Sequence, residues 1–331
     1  MRAVIYTRYG GPEVLNLGEV AQPEPGDNEV LIETRAAEVT KADTELRCFK
    51  FPVKWFWLPL RLAMGIRKPR RLILGGYFSG VVTAVGKDVR RFKPGDEIFG
   101  TTNLRFGAYG EYLCLPEDFT LETKPHNISF EQAAAVPLGA LNAIHFMRKA
   151  RLQQGESILI NGAGGSIGTF ALQIAKCMGA EVTAVDHGIK ADMLRDIGAD
   201  HFIDYTREDF TRGDQTYDVI FDMVAKSSYS GCVSRLKPKG RYLLGNPRVS
   251  DMLRSLLTPR FSDKQVYFEF AGEKQQELHE LGQMLEAGDI TPVIDRIYPL
   301  EQIADAHRRV ETEERLGIVV VSLARQPSPV T

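Results

Sequence analysis

Hydrophobic and polar positions change their rhythm near residue 125. Before that point, β-branched or alternating residues come in short runs at Arg2–Tyr6, Glu29–Ala36, Gly80–Val85 and Glu111–Leu115. Gly10-Gly11-Pro12, Pro25-Gly26-Asp27 and similar breakers separate them. Such runs predict strands, and many short strands before any long helix predict a barrel-like β domain. Beyond Pro125 the spacing of Ser129 and Gln132 predicts a capping box at a helix start. From Ser157 strand and helix patterns alternate. The predicted strands are Ser157–Asn161, Glu181–Val185, His201–Asp204, Tyr217–Phe221, Arg241–Leu244 and Gln265–Phe270. Helices are expected between the first five, one of them with Ile167, Ala171, Ile174, Ala175 and Met178 on a single face. Alternation with connections this short predicts a parallel sheet with right-handed crossovers. A helix at Leu300–Val310 and a strand at Ile318–Ser322 are too small to stand alone and are expected to rejoin one of the two domains.

Composition adds limits. The 331 residues suggest two domains, and 44% hydrophobic with 25% charged residues is ordinary for a soluble globular chain. A net charge of −2 gives no overall nucleic-acid footprint. Cys48, Cys114, Cys177 and Cys232 are scattered without a C-x-x-C pair, which suggests neither a zinc cluster nor a disulfide framework and fits a cytoplasmic, reducing compartment. The opening residues show no signal-peptide apolar region, and the uncharged stretch Ser157–Ala175 holds too many glycines and polar residues to be a good membrane span.

Those glycines carry the first chemistry. Strand Ser157–Asn161 runs into Gly162-Ala163-Gly164-Gly165-Ser166-Ile167-Gly168 and then a helix. A helix start offers unpaired N–H groups, and glycines let backbone approach a phosphate. Ala163-x-Gly165-x-x-Gly168 is the dinucleotide fingerprint with Ala in the first place, and the acidic Asp186 ends the next strand. Asp186 there would accept from an adenosine ribose and repel a 2′-phosphate, which favours NAD(H). Lys190 points the other way, toward NADP(H). The carboxylate at the strand end tips the reading to NAD(H).

Several motifs together resemble the medium-chain dehydrogenase/reductase superfamily, in its zinc-independent quinone oxidoreductase-like branch. They are Asn161-Gly-Ala-Gly-Gly-Ser-Ile-Gly168, Gly198-Ala-Asp-His-Phe-Ile-Asp-Tyr205, Leu236-Lys-Pro-Lys-Gly240, Val85-Gly-Lys-Asp-Val-Arg-Arg-Phe-Lys-Pro-Gly-Asp96 and Gly107-Ala-Tyr-Gly-Glu-Tyr112. The resemblance implies an α/β fold: a Rossmann doubly wound parallel sheet over residues 126–287, and a GroES-like β-barrel domain over 1–125 completed by 288–325. Nicotinamide and substrate would share the cleft between them. It further implies a pyrophosphate at Gly165–Gly168, an adenosine ribose near Asp186, Lys190 and Tyr205, and a nicotinamide side near Gly245 and Asn246. Gly162, Ala163, Ser166 and Ile167 belong to the same loop. Asn142 takes a slot where the family usually has a Thr near the cofactor phosphate. Ile318 stands where the family often has a lysine, and no role is carried over to it.

The zinc-dependent branch has a Cys early in the chain and a later Gly-His-Glu. Here those stretches read Val39-Thr40-Lys41 and Gly76-Tyr77-Phe78, and only Cys114 lies between residues 90 and 125, so neither zinc constellation exists. Without a Lewis acid, alcohol oxidation is harder to promote than reduction of a conjugated carbonyl or quinone. Thr40, Tyr77 and Lys41 are the candidate proton donors or carbonyl binders, Thr40 and Tyr77 being the catalytic pair chosen. The expected function is NAD(P)H-dependent, zinc-independent reduction of quinones or α,β-unsaturated carbonyls. The alternatives are a zinc-free alcohol/aldehyde dehydrogenase and a catalytically silent cofactor-binding sensor or membrane-associated adaptor. The six isolated histidines, His307 among them, read as surface or packing residues.

Residues 47–71 depart from the pattern, with eight basic and no acidic residues and both tryptophans. Their expected role is a substrate lid built on Phe51, Trp55 and Trp57, whose aromatics cover an apolar pocket. A peripheral contact with an anionic membrane is the competing reading. Gln265–Phe270, expected at a sheet edge, suggests a homodimer.

Overall fold

A computed structural model of the chain describes residues 1–51, 57–269 and 271–324. Strands β1 (Arg2–Ile5) and β2 (Asn16–Glu19) form an antiparallel pair. There follow β3 (Glu29–Val39), α1 (Lys41–Cys48), α2 (Trp57–Met64), β4 (Tyr77–Val85), β5 (Glu97–Thr101), β6 (Tyr112–Pro116) and β7 (Leu121–Thr123). Helices α3 (Phe130–Ala134) and α4 (Pro137–Ala150) lead to β8 (Ser157–Asn161), α5 (Ser166–Cys177), β9 (Glu181–Asp186), α6 (Ala191–Asp196), β10 (His201–Asp204) and β11 (Tyr217–Asp222). Then come α7 (Tyr229–Ser234), β12 (Leu236–Leu244), α8 (Val249–Phe261), β13 (Gln265–Phe268), α9 (Gln275–Ala287), β14 (Ile294–Pro299), α10 (Ile303–Glu311) and β15 (Ile318–Ser322).

Strands β8 to β13 make one all-parallel sheet in the order β10-β9-β8-β11-β12-β13. The order reverses between β8 and β11, the place where doubly wound sheets open a ligand crevice. The expected face of α5 is inward: Ala171, Ile174 and Ala175 are core residues, and Ile167 and Met178 pack against them. The capping box forms too. Gln132 N–H donates to Ser129 Oγ at 3.2 Å and Ser129 N–H to Gln132 Oε1 at 2.9 Å.

One predicted helix is missing. Between β10 and β11 the chain is irregular. Asp204 accepts from Thr206 N–H and Asp209 from Thr211 N–H, each at 3.0 Å. Asp side chains that take the backbone two residues on form turns that compete with a helix. The edge strand β13 ends at Phe268, and Phe270 of the expected strand lies outside the described residues.

The second large sheet has the order β14-β15-β3-β4-β5-β7, with β6 also on β3. Strand β3 is its axis. One side of β3 runs along β4. The other is shared, Glu29–Glu33 pairing with β6 and Ala36–Val39 with β15. So the last strand does rejoin the first part of the chain.

A bulge in β3 positions the site. Thr34 pairs with Gly80 but Ala36 with Ser79, so one extra residue enters β3 there. Gly80 permits the close approach, because a Cβ would sit 2.3 Å from Glu33 O. The extra residue exchanges the two faces of the strand. Val30 and Ile32 before it, and Ala37 and Val39 after it, face the barrel core. Ala36 instead joins the larger core of α4, α5 and β8, together with Ile318 and Val320 of β15. Glu38, opposite Val320 in the antiparallel register, is thereby turned toward the parallel-sheet half.

Candidate functional site

The glycine loop lies at the C-terminal end of β8, beside the reversal in strand order. Gly162 has φ +87°, which favours glycine. At Gly168 a Cβ would come 2.4 Å from Gly162 O and 2.5 Å from Ala163 O, so glycine lets helix and loop meet. Gly165 differs, since its nearest neighbour would be Gly162 O at 3.7 Å. The chain itself tolerates a side chain there, so the space is kept for something else. Gly165 is the N-cap of α5 and supplies no side-chain cap. The first amides of α5 therefore border a cradle that a side chain would fill, which suits a diphosphate.

Where the sequence expects the adenosine ribose, Asp186 and Lys190 meet each other. Lys190 Nζ lies 2.9 Å from Asp186 Oδ1, with each side chain 8% exposed. Asp186 Oδ2 accepts from Gly164 N–H at 2.7 Å and Oδ1 from His187 N–H at 2.8 Å. The lysine stem crosses the loop so closely that a Cβ on Gly164 would be 2.4 Å from Lys190 Cδ. Tyr205 stands near, mostly exposed and edge-on to His187 with ring centroids 6.0 Å apart. Asn142 spends a donor on its own helix, to Leu138 O at 2.9 Å. Beyond β11 and β12, Gly245 N–H donates to Asp222 O at 2.8 Å and Asn246 Nδ2 to Met223 O at 2.8 Å.

The facing wall comes from β3, α1 and β4. Thr40 is the N-cap of α1. Its Oγ1 donates to Asp43 Oδ2 at 2.7 Å and accepts from Asp43 N–H at 3.0 Å, while Thr40 N–H donates to the same carboxylate. Asp43, buried, also takes Gly75 N–H at 3.2 Å, and burial raises its pKa. Thr40 is thus a held hydroxyl that tethers the helix. Lys41 pairs on the surface with Glu313 at 2.7 Å. Tyr77 is hydrogen-bonded to Glu273, and burial first, then the Glu273 charge, hold its phenol well above the usual range. Glu273 reaches across from the segment before α9. It accepts from Thr101 Oγ1 at 2.6 Å, and its backbone oxygen accepts from Thr120 Oγ1 at 2.8 Å.

Three residues here escaped the sequence reading: Glu38, Glu273 and Arg315. Glu38 is 2% exposed and its Oε2 has no hydrogen-bond partner. Burial pushes its carboxyl up to about 8. Arg315, just before β15, is half-buried and donates to Val310 O at 3.0 Å, with Glu38 the strongest of the negative charges acting on it. The signal for Glu38 was available, as a lone acid among the small apolar residues Ala36, Ala37 and Val39. Nothing local marks Glu273 or Arg315.

Of the expected lid, Trp55 lies outside the described residues. Phe51 and Trp57 both stand edge-on to Phe49, at 5.2 and 6.1 Å. Arg61 lies 4.2 Å from the ring centroids of both Tyr9 and Phe49, which pins α2 to the barrel. For zinc, the places that would carry ligands hold Thr40 and Tyr77, and no group of three or more His, Cys, Asp or Glu among the described residues could hold a metal. That donor set does not fit structural or catalytic zinc. The depression lined by Arg151, Asp218 and Arg241 lies at the opposite ends of the parallel strands from the glycine loop.

Two family models match the chain: the alcohol dehydrogenase GroES-like domain over residues 26–125 and zinc-binding dehydrogenase over 197–321. The chain is 31% identical to the NADPH-dependent alkenal/one oxidoreductase of Arabidopsis thaliana chloroplasts, over 97% of this chain and 79% of that protein. It is 31% identical to quinone oxidoreductase of Sus scrofa, over 94% of each. Quinone oxidoreductase from Coxiella burnetii superposes with a TM-score of 0.86 at 27% identity, covering 98% of this chain and 99% of that one.

Proposed function

The chain belongs to the medium-chain dehydrogenase/reductase superfamily, in its quinone oxidoreductase-like branch, and from that premise we propose that it reduces quinones or α,β-unsaturated carbonyls with NAD(P)H. The observation that carries this reading is the Gly165 cradle at the uncapped start of α5, across from the buried hydroxyls and carboxyls of β3, α1 and β4. The residues Gly162, Ala163, Gly165, Ser166, Ile167 and Gly168 would hold the diphosphate. Asp186, Lys190 and Tyr205 would border the adenosine ribose. The Asp186 carboxylate, fixed by two backbone amides, favours NAD(H).

When bound, the reduced nicotinamide supplies the hydride that such a reduction needs. The chain's part is to hold the acceptor and manage its proton. Tyr77 remains a neutral phenol through the working pH range, so it can donate to a carbonyl or quinone oxygen as charge gathers there. In the resting protein Glu273 accepts that hydroxyl's one hydrogen, and the acceptor's oxygen would take its place on binding. Thr40 serves position, through its cap on α1, rather than proton transfer. Phe51 and Trp57 would cover the apolar end of the acceptor. No step needs zinc, and we assign the protein to a zinc-independent mechanism.

Three further assignments are part of this reading. Residues 1–125 with 288–325 act as the substrate unit and 126–287 as the nucleotide unit. The four free cysteines suit the cytoplasm. Edge strand β13 and the neighbouring face of α8 suit a homodimer. The face carries Val249, Leu253, Leu256, Leu257 and Phe261, all exposed, in a helical stripe.

The test is NAD(P)H oxidation against a panel of quinones, enones and alcohols, with and without a chelator, beside metal analysis of the purified protein. Turnover of quinones or enones that survives the chelator is expected. Turnover of alcohols alone, or one firmly bound zinc per chain, would overturn it.

A further inference from the structure

Glu38 is a buried acid that the proposed reaction does not use. The bulge in β3 turns it out of the barrel core toward α5. Beside it stands Ser166, the first residue of α5, whose Oγ is also buried. The Ser166 hydroxyl hydrogen-bonds the Glu38 carboxyl and favours its charged form, while Oε2 keeps no partner. An unpaired carboxyl oxygen is thus buried beside the first residue of α5, next to Gly165. A buried, unpaired polar atom is costly and rare, and the cost is relieved when a partner arrives.

The surrounding charges decide what partner fits. From α1 comes Asp43, which disfavours a second negative charge. From β4 comes the Tyr77 phenol, and from the loop before β6 the Tyr109 phenol, each of which Glu38 also disfavours ionising. The segment before β15 supplies Arg315, the one cation acting on Glu38 among the described residues, and it is shared with Glu313, Asp295 and Asp186. A dinucleotide diphosphate on the first amides of α5 would bring more negative charge to this spot. A carboxylate there would repel it. A carboxylic acid would instead offer an O–H to a phosphate oxygen.

We propose that Glu38 is a proton-carrying contact of the dinucleotide, taking a proton from solvent when it is ionised and donating a hydrogen bond to the diphosphate in the complex. The proposal rests on the cofactor reading above. The balance is one proton gained per dinucleotide bound, with no bond of the cofactor made or broken. Below the pH at which free Glu38 ionises, the proton is already present and affinity is flat. Above it, binding must recruit the proton, and affinity falls by up to about tenfold per pH unit.

The experiment titrates NADH into the intact protein from pH 6.5 to 9.5, following nicotinamide fluorescence, since the diphosphate itself does not ionise further in that range. Calorimetry at pH 9 in two buffers of different ionisation enthalpy counts protons. Wild type is expected to bind up to about thirtyfold more weakly at pH 9.5 than at pH 6.5 and to take up close to one proton. Glu38→Gln, a neutral mimic of the acid, should bind at every pH about as well as wild type does at pH 6.5, with no proton uptake from this source. Superimposable profiles for the two proteins, or no proton uptake by wild type, overturn the proposal while leaving the cofactor site intact. No binding of NADH or NADPH by either protein at any pH overturns the cofactor reading and the proposal with it.

Discussion

Lys190 lies across the glycine loop and closes an ion pair of 2.9 Å with Asp186, both side chains nearly out of water. In sequence these two residues argue for different cofactors. In the fold they neutralise one another, and the carboxylate is further held by the amides of Gly164 and His187. On the proposed reading a bound nucleotide would meet the pair, and the pair would set the preference.

Asp186→Ser should therefore free Lys190 and remove the charge that repels a 2′-phosphate. The ratio of NADPH to NADH affinity, measured by fluorescence titration, is expected to rise by on the order of tenfold, or about 1.4 kcal/mol. An unchanged ratio would place both residues away from the ribose.

Gly165→Val tests the cradle. The glycine's surroundings accept a Cβ without a clash, so the variant should fold with a thermal midpoint near that of wild type. Its side chain would occupy the diphosphate's place, and binding of NADH and NADPH should be lost. Retained affinity in the folded variant would remove the loop from the site.

Tyr77 and Thr40 should separate cleanly. Tyr77→Phe keeps the ring and removes the donor, so kcat is expected to fall by roughly a hundredfold with cofactor affinity unchanged. Thr40→Val removes the cap on α1, costing about 1 kcal/mol of stability in denaturant unfolding, with kcat close to wild type. The reverse pattern would exchange their roles.

His307 makes the fold sensitive to acid. Burial first, and Arg47 beside it, pull the imidazole down to about 3, and neither ring nitrogen has a partner. It is neutral when folded, whereas the unfolded chain protonates it near pH 6.5. Its contribution is complete above pH 6.5 and is lost as pH falls toward 3, by about 1.4 kcal/mol per pH unit. Glu38 has the opposite sign. Its raised carboxyl favours the fold below pH 4.5, a contribution lost as pH rises to about 8. Between pH 7 and pH 5.5 the two oppose each other, so the test is a difference: in urea unfolding at both pH values, wild type should lose about 1 kcal/mol relative to His307→Leu on acidification. Equal slopes would mean that His307 gains a proton or a water within the fold.

The stripe on α8 should govern assembly. Leu256→Glu is expected to turn a dimer into a monomer at micromolar concentration in solution scattering, with little change in unfolding midpoint, because Leu256 is 65% exposed. A wild-type monomer would remove the dimer from the reading.

The parts readable from sequence were those whose cause is local. Ser157–Asn161 is a fully buried strand beside a glycine loop, and its bounds match the structure. Ser129 and Gln132 cap a helix because they are three residues apart. The same spacing in Thr40 and Asp43 marks a cap, a role that the reading of Thr40 as a proton donor or carbonyl binder did not include. Asp186 and Lys190 were legible singly but not as a pair, since a 3-10 turn over Gly188–Lys190 brings the lysine back onto the strand end. Strict alternation along β3 would place Glu38 on the face of Val30 and Ile32. The bulge reverses it, and its cause, the missing side chain of Gly80, lies on another strand. Glu273 meets Thr101 and Thr120 from more than 150 residues away, a distance no local pattern spans.

The division of one side of β3 between β6 and β15 has a consequence for synthesis. As the ribosome releases the chain, the first 125 residues can form most of their sheet, yet the half of β3 that carries Glu38 still presents an open edge. Only Val319–Ser322, near the end of the chain, covers it. The parallel sheet, whose strands all lie between residues 157 and 268, is complete before that moment. The nascent protein thus holds a finished parallel sheet beside an unfinished barrel sheet, and the exposed edge is a place where another chain could pair. The wall bearing the buried acid is assembled last, against a partner already folded.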